Sequence, residues 1–210
     1  MELSEIFYSL QGESSYAGLP CIFIRLAGCN LRCSYCDTTY AYNTQFTLSI
    51  EEIIDEVKKF QSVKLIEITG GEPLLQKDTI RLLTLLLEKN YKVLLETNNS
   101  ISLAEVPMEV IKIVDIKTPS SDMSDKMLWD NFKILNNHDE IKFVIGDRID
   151  FDWALGIIKK YDLKRFQLLF SPVFEKLESA KLAEWILETR LPIRMNVQLH
   201  KVLWGNKRGK

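Results

Sequence analysis

Histidine and cysteine are scarce in this chain: among 210 residues there are two histidines and four cysteines. No apolar run reaches the ~18 residues that a membrane-spanning helix needs. Glu2 and Glu5 occupy the positions where a secretory signal peptide has a basic region. We therefore expect a cytoplasmic protein without a membrane anchor, in which disulfides are unlikely to form.

An excess of basic residues is also missing. The 27 lysines and arginines are balanced by 29 acidic residues, which gives a net charge of −2. Proteins that bind the phosphate backbone of nucleic acids need a basic face, so direct nucleic-acid binding is not expected. The basic end, Lys207, Arg208 and Lys210, is interpreted as a solvated tail. Length and a hydrophobic content of 46% fit one domain over residues 1–210.

What the chain does contain is a strand followed by a helix, many times over. Such alternation is typical of parallel β/α units, and seven core strands in so short a chain predict an α/β fold, a partial (trimmed) β/α barrel. Residues 3–8 are predicted as an added edge strand. The predicted core strands are 21–27, 64–69, 92–97, 111–117, 140–145, 166–170 and 193–198. The predicted helices are 50–60 (with Ser49 and Glu52 as a capping box), 78–89, 124–136, 150–161 and 175–189.

Segments rich in cysteine, glycine, proline or polar residues follow these strands at their C-terminal ends, where β/α barrels have their active sites. The cysteine-rich segment 28–37 follows the first core strand and Gly70-Gly71-Glu72-Pro73 the second. Asn98-Asn99, Thr118-Pro119-Ser120-Ser121, Ser171-Pro172 and Gln198 to His200 follow later strands. We therefore expect these segments to converge on one site.

Three of the four cysteines, Cys29, Cys33 and Cys36, have the spacing C-x3-C-x2-C. Three thiolates hold three irons of a cubane cluster and leave the fourth iron open to another ligand. An open coordination position is typical of a catalytic centre.

A structural zinc site and an electron-transfer cluster are two other uses of such cysteines. A structural zinc site usually takes four ligands, and an electron-transfer cluster also takes four. Cys21, in an apolar strand, and the histidines His138 and His200 are the available candidates for a fourth ligand. Cys21 is better interpreted as a buried thiol, and His138 as a solvated loop residue.

The cysteine spacing after a first strand, with an aromatic residue before the last cysteine, resembles the signature of the radical S-adenosylmethionine (SAM) superfamily. The segment Thr69 to Pro73 resembles the GGEP element of that superfamily, whose glycines allow backbone to approach SAM closely. The resemblance implies a [4Fe-4S] cluster, with SAM bound to its open iron and cleaved to a 5′-deoxyadenosyl radical.

Three further segments, Leu10-Gln11-Gly12-Glu13, Cys36-Asp37-Thr38 and Gln198-Leu199-His200-Lys201, together resemble the 7-carboxy-7-deazaguanine synthase family. That resemblance runs along nearly the whole chain. It implies a lyase of queuosine and 7-deazapurine biosynthesis, in which 6-carboxy-5,6,7,8-tetrahydropterin loses ammonia during radical ring contraction and SAM is regenerated. It also implies assistance by Mg²⁺, an electron donor such as flavodoxin or ferredoxin, and a homodimer.

The resemblance also assigns residues to roles. Arg25 would meet the substrate carboxylate, which suits the forked geometry of a guanidinium, and Thr38 would bind Mg²⁺ through a hard hydroxyl oxygen. The other implied substrate contacts are Leu10, Gln11, Gly12, Glu13, Thr69 and His200. The implied SAM contacts are Tyr35, Cys36, Asp37, Gly71, Thr118, Pro119, Ser120, Ser171, Pro172, Val173 and Phe174.

The chain departs from the family pattern at two places. Thr118-Pro119-Ser120 stands where the family has Ser-Pro-Lys, so Lys117 is considered as a substitute for the missing lysine. Ser14 stands where the family has glycine. Two alternatives from other classes also remain open, an activase of a glycyl-radical enzyme and a metal-binding interaction module.

Overall fold

The nine strands of the protein form one continuous sheet, in the order β3-β1-β2-β4-β5-β6-β7-β8-β9. The computed structural model describes residues 1–210. The strands are β1 (Glu2–Leu10), β2 (Pro20–Leu26), β3 (Phe46–Thr47), β4 (Leu65–Gly70), β5 (Lys92–Thr97), β6 (Ile111–Ile116), β7 (Glu140–Ile145), β8 (Gln167–Pro172) and β9 (Ile193–Met195). The helices are α1 (Ile50–Lys58), α2 (Thr79–Glu88), α3 (Arg148–Lys160), α4 (Ser179–Thr189) and α5 (Leu199–Trp204).

Strand direction confirms the predicted partial barrel. From β2 through β9, omitting β3, each strand pairs with its neighbour in parallel. The added strand β1 pairs antiparallel with β2, and the two-residue β3 pairs antiparallel with β1. β3 and β9 remain edges, so the sheet curves without closing.

Hydrophobic packing between sheet and helices explains this architecture. Ile22, Ile24 and Ile66 are fully buried in a core of 38 buried residues that also includes Leu82 and Leu86 of α2. Each side chain of this kind contributes about 1.5–3 kcal/mol when it leaves water. No helix has both the length and the apolar character to cross a membrane.

The start of α1 shows how local chemistry sets an element. The Ser49 hydroxyl accepts a hydrogen bond from the Glu52 backbone N–H (3.1 Å), and the Glu52 carboxylate accepts one from the Ser49 N–H (2.7 Å). Two N–H groups without partners inside the helix are thereby satisfied. The predicted capping box is confirmed.

The predicted helix over residues 124–136 is wrong. Two short 3-10 turns, Ser124–Lys126 and Trp129–Lys133, occupy this stretch. The Asn131 side chain accepts from the Leu103 N–H and donates to the Ile101 carbonyl. An asparagine that bonds to loop backbone in this way competes with helix formation.

The end of the sheet also differs from the prediction. β9 stops at Met195 rather than continuing to residue 198, and the short helix α5 follows, which the sequence did not predict. The Asn196 N–H still donates to the Phe170 carbonyl of β8 (2.8 Å), and its side chain donates to the Ser171 hydroxyl (2.8 Å) and to Glu13 (3.3 Å). Backbone pairing with β8 therefore ends at Asn196, and Gln198 leads into α5.

Candidate active site

A cavity of about 510 Å³ opens at the C-terminal ends of the parallel strands. This size suits a small-molecule site. Most of the residues predicted for the site line this cavity: Leu10, Gln11, Gly12, Glu13, Arg25, Cys29, Cys33, Tyr35, Cys36, Asp37, Thr38, Thr69, Gly71, Pro172, Val173, Phe174 and His200.

The cysteine loop is held against the sheet by its backbone. Gly28 has a φ of 90°, a conformation that favours glycine, and its N–H donates to the Ala41 carbonyl (2.8 Å). Farther along, the Ser34 N–H donates to the Ser121 carbonyl (3.1 Å). These bonds hold the loop just before Cys29 and between Cys33 and Cys36, and all three cysteines line the cavity wall.

The three thiols fit a cubane cluster. They are free and half-buried, while Cys21 is fully buried below them, as the sequence predicted. No group of three or more His, Cys, Asp or Glu side chains converges closely enough to hold a single metal ion. Thiolates of a cubane bind different irons, so they have no need to meet at one point. The site thus fits a cluster better than a zinc ion.

The Cys29 sulfur also has polar neighbours. The Leu31 N–H lies 3.4 Å from it and the Asn98 amide nitrogen 3.8 Å from it. Burial raises the pKa of the Cys33 thiol to about 11, although Lys117 opposes this shift. A cluster iron would displace that proton, because the ligand is the thiolate.

The Gly70-Gly71 segment lies directly against the cysteine loop. The Glu72 N–H donates to the Gly28 carbonyl (2.8 Å), and the Gly71 N–H donates to the Leu26 carbonyl (3.2 Å). The buried Glu72 carboxylate accepts from the Asn98 N–H (2.7 Å) and from the Thr97 hydroxyl (3.0 Å). Burial raises the pKa of Glu72 to about 7 even though these donors lower it. Glu72 therefore ties three loops together.

Gly71→Ala is expected to separate the two loops. A Cβ at residue 71 would overlap the backbone oxygen of Gly28 and the Cys29 side chain, and overpacking of this kind costs about 1–3 kcal/mol. SAM affinity and melting temperature should both fall, measured by equilibrium dialysis and calorimetry. Gly156→Ala in α3 is the matched control, because that Cβ meets no atom within 4 Å and alanine favours a helix. Unchanged SAM affinity in Gly71→Ala would contradict the close-approach role.

The opposite wall of the cavity is polar. The Lys142 ammonium forms ion pairs with Glu13 (2.5 Å) and Glu96 (2.7 Å), and the Gln11 amide donates to the Glu67 carboxylate. Burial would lower the pKa of Lys142, but the two neighbouring carboxylates raise it well above its usual value. Burial and the nearby charge of Glu96 raise the pKa of Glu67. This wall therefore carries a charged lysine between acidic groups.

Four inward-facing residues were not assigned to the site from the sequence, although a signal was present. Glu67, Glu96, Lys142 and Asp115 are charged residues that each follow directly after an apolar residue of a strand. Alternation places such residues on the inner face of the barrel. All four line the cavity.

Arg25 reaches the cavity from β2 while held by a neighbour. Its Nε donates to Glu5 Oε1 at 2.8 Å. Its terminal nitrogens make no hydrogen bond to the protein. They remain available to a ligand carboxylate.

The two ends of the chain meet beside the polar wall. The Leu199 N–H donates to the Gly12 carbonyl (2.9 Å), and the Gln198 amide donates to Glu13 (2.8 Å). Together with Asn196, which also bonds to Glu13, these residues form what we call the clasp. A Cβ at residue 12 would overlap the His200 ring, so only glycine leaves room for this histidine.

Four predicted SAM residues lie behind the cavity wall instead of lining it. The Thr118 hydroxyl donates to the Val144 carbonyl (2.9 Å), and the Ser120 hydroxyl donates to Asp150. Ser171 accepts from Asn196, and Pro119 begins a 3-10 turn that runs to Ser121. Lys117, considered as a substitute for the family lysine, does line the cavity. The direct SAM contacts of these four residues stay predictions.

The combination of an open parallel β/α sheet, a C-x3-C-x2-C loop after β2 and a Gly-Gly-Glu-Pro loop after β4 defines a radical SAM protein. Residues 23–162 match the Radical SAM superfamily.

Proteins named 7-carboxy-7-deazaguanine synthase match nearly the whole chain. The one from Koribacter versatilis is 43% identical over 97% of both chains. The one from Chlorobaculum tepidum is 45% identical over 98% of this chain and 94% of its own. The chain belongs to the 7-carboxy-7-deazaguanine synthase family of the radical SAM superfamily.

Solved structures show the same fold. The crystal structure of QueE from Escherichia coli superposes with a TM-score of 0.78 over 95% of this chain and 94% of that one, at 23% identity. Streptococcus suis SuiB, solved with S-adenosylmethionine, superposes with a TM-score of 0.57 over 83% of this chain and 51% of that one. At these identities the likeness concerns the fold.

Proposed function

We propose that this chain converts 6-carboxy-5,6,7,8-tetrahydropterin to 7-carboxy-7-deazaguanine, with release of ammonia. The observation that carries the proposal is one cavity lined both by the three free cysteines and by the Leu10-to-Glu13 segment with Arg25. Radical chemistry needs the cluster and the substrate within one enclosed space, and full-length relatives bear the name of this synthase.

The cluster would be held by Cys29, Cys33 and Cys36. When bound, such a cluster would supply the electron for reductive cleavage of SAM, which provides the radical chemistry that removes hydrogen from C6 of the pterin. Tyr35, Asp37 and Gly71 would line the SAM side, together with the other predicted contacts, Thr118, Pro119, Ser120, Ser171, Pro172, Val173 and Phe174. The chain's own contribution is to fix both molecules in a shared geometry and to exclude water.

On the substrate side, the chain would bind the pterin ring at the end of β1. Leu10, Gln11, Gly12 and Glu13 offer backbone and amide groups there, and Thr69 and His200 close the sides. Arg25 would hold the 6-carboxylate through its terminal nitrogens. Because burial lowers the pKa of His200, its ring would meet the substrate in neutral form near pH 7.

Anaerobic turnover tests the proposal. The purified, reconstituted protein should consume carboxytetrahydropterin in the presence of SAM and a chemical reductant. A product with the mass of 7-carboxy-7-deazaguanine should appear without a second protein. An activase would instead cleave SAM only together with a protein partner. Lack of the deazaguanine product from protein with full iron and sulfide content would reject the proposal.

Thr38 is proposed to bind Mg²⁺ together with substrate oxygens. Its hydroxyl lies 2.8 Å from Asp37 Oδ1, so two hard oxygen donors meet at the cavity wall, as Mg²⁺ prefers. Turnover should rise with Mg²⁺, and Thr38→Ala should need about tenfold more Mg²⁺ for half-maximal rate, as expected for the loss of one ligand. Thr44→Ala, which removes a surface hydroxyl bonded to Glu2, is the control. Full activity in chelated, Mg²⁺-free buffer would remove this role.

Two partners complete the proposal. A low-potential electron donor such as flavodoxin or ferredoxin would reduce the cluster, and two copies of the chain would form a homodimer. Turnover with reduced flavodoxin in place of chemical reductant tests the first, and light scattering of the loaded protein tests the second.

A further inference from the structure

We propose that Glu5 is a positioning residue, which orients Arg25 so that its terminal nitrogens face the substrate carboxylate. The inference rests on the proposed function and extends it to a residue outside the family motifs identified in the sequence. Glu5 Oε1 accepts from Arg25 Nε (2.8 Å) and from the Tyr40 hydroxyl (2.8 Å). Both charged side chains are only 17% exposed.

A β-bulge brings Glu5 to this place. The register pairs Leu3 with Leu26 and Glu5 with Arg25, so one extra residue is inserted in β1 between these pairs. Leu3 packs into the core on the outer face of the sheet, and strict alternation would send Glu5 to that same face. A bulge shifts the alternation by one residue, so Glu5 lies on the inner face opposite Arg25.

The geometry of guanidinium explains why the Nε contact matters. A guanidinium has five N–H donors in a rigid plane, and Glu5 occupies the one on Nε. The four donors on the terminal nitrogens lie in the same plane, and no protein group accepts from them. Holding Nε fixes the plane, which leaves the two-pronged edge ready for a carboxylate.

Competition inside the cavity gives Glu5 a second effect. Glu67 and Glu96 line the same cavity and attract the charge of Arg25, yet neither lies within ion-pairing distance of it. Without Glu5, Arg25 would turn toward these carboxylates, because a buried cation needs a partner. Its terminal nitrogens would then be occupied before the substrate arrives.

Tyr40 connects this pair to the cluster loop. It lies four residues after Cys36 and bonds to the same Glu5 oxygen as Arg25. The Arg208 guanidinium lies over the Tyr40 ring, 3.8 Å from its centre. These contacts fix the position of Arg25 relative to the loop that carries the cysteines.

The test compares two stable ligands, 6-carboxypterin and pterin, which differ only in the carboxylate. Their affinities are measured by fluorescence titration of the reconstituted holoenzyme with SAM. The wild-type ratio of the two affinities should be about 100, and Glu5→Gln should reduce it by about tenfold. The affinity for pterin should stay unchanged. Tyr40→Phe should reduce the ratio by a smaller factor, and Glu2→Gln on the same strand should leave it at the wild-type value.

Each other outcome overturns the inference. An unchanged ratio in Glu5→Gln would mean that Arg25 needs no positioning, and an increased ratio would make Glu5 a competitor of the substrate. Equal weakening of both ligands with a lower melting temperature would indicate a purely structural role. Wild-type protein without pterin turnover would reject the proposed function. Wild-type turnover with an unaltered ratio in Glu5→Gln would reject only the role of Glu5.

Discussion

Replacing Cys29, Cys33 or Cys36 with alanine is expected to abolish turnover and to prevent assembly of an intact cluster. Each substitution removes one of three iron ligands, and the remaining cysteine, Cys21, cannot move into its place. Cys21 is fully buried, with its thiol 3.6 Å from its neighbour's carbonyl oxygen on β2. Iron and sulfide content, together with the visible absorbance, measure the result independently of activity.

Cys21→Ala is the matched control for these variants. It deletes one buried sulfur atom at a cost of about 1 kcal/mol, and it should keep iron content, absorbance and turnover. Loss of the cluster in Cys21→Ala, with retention in any member of the trio, would show that the ligands are assigned wrongly. A colourless protein that binds zinc through all four cysteines would reject the cluster altogether.

Arg25→Ala is expected to raise the KM for carboxytetrahydropterin by about 100-fold, which is the cost of losing a charged, forked hydrogen bond. Turnover should fall as well, because the orientation of C6 toward the radical depends on the carboxylate contact. Arg25→Lys should restore only part of the affinity, since an ammonium lacks the two-pronged geometry. SAM affinity and iron content should remain.

KM and melting temperature, measured together on Arg25→Ala, distinguish this role from a structural one. Removing Arg25 leaves Glu5 without its cation, which should cost about 2 kcal/mol and lower the melting temperature by about 4–8 °C. Arg148→Ala is the control, because Arg148 pairs with Asp152 and Glu188 far from the cavity. A lower melting temperature with a normal KM in the folded fraction would leave Arg25 with a structural role only.

Local patterns predicted much of the fold and part of the site. The cysteine spacing, the glycines before Glu72 and the apolar strands act over a few residues, and the structure brings their strand ends to one cavity. The ion pair between Arg25 and Glu5 could not be predicted from such local patterns. Glu5 faces Arg25 only because a bulge shifts β1 by one residue, and alternation in the sequence alone puts Glu5 on the other face.

The errors have a common physical cause. The segment 124–136 has the composition of a helix, but Asn131 bonds to the loop around Leu103 and Ile101, and that loop is distant in sequence. At the end of β9, the Asn196 N–H still bonds to the Phe170 carbonyl, and the Asn196 side chain bonds to Ser171 of the preceding strand and to Glu13. In both places a polar side chain makes tertiary contacts that a local sequence pattern does not show.

The clasp has a consequence for the order in which parts of the chain fold. Its contacts between Glu13 and residues 196 and 198 join positions 183 and 185 residues apart. Closing so long a loop costs more entropy than pairing neighbouring strands, and such non-local contacts slow folding. Ser34 in the cysteine loop bonds to Ser120, 86 residues along the chain, which is a shorter closure than those of the clasp. The cysteine loop is therefore expected to form earlier than the pterin side, which is complete only when the final residues pair. Local unfolding should therefore begin at the clasp and expose the substrate side before the cysteine loop.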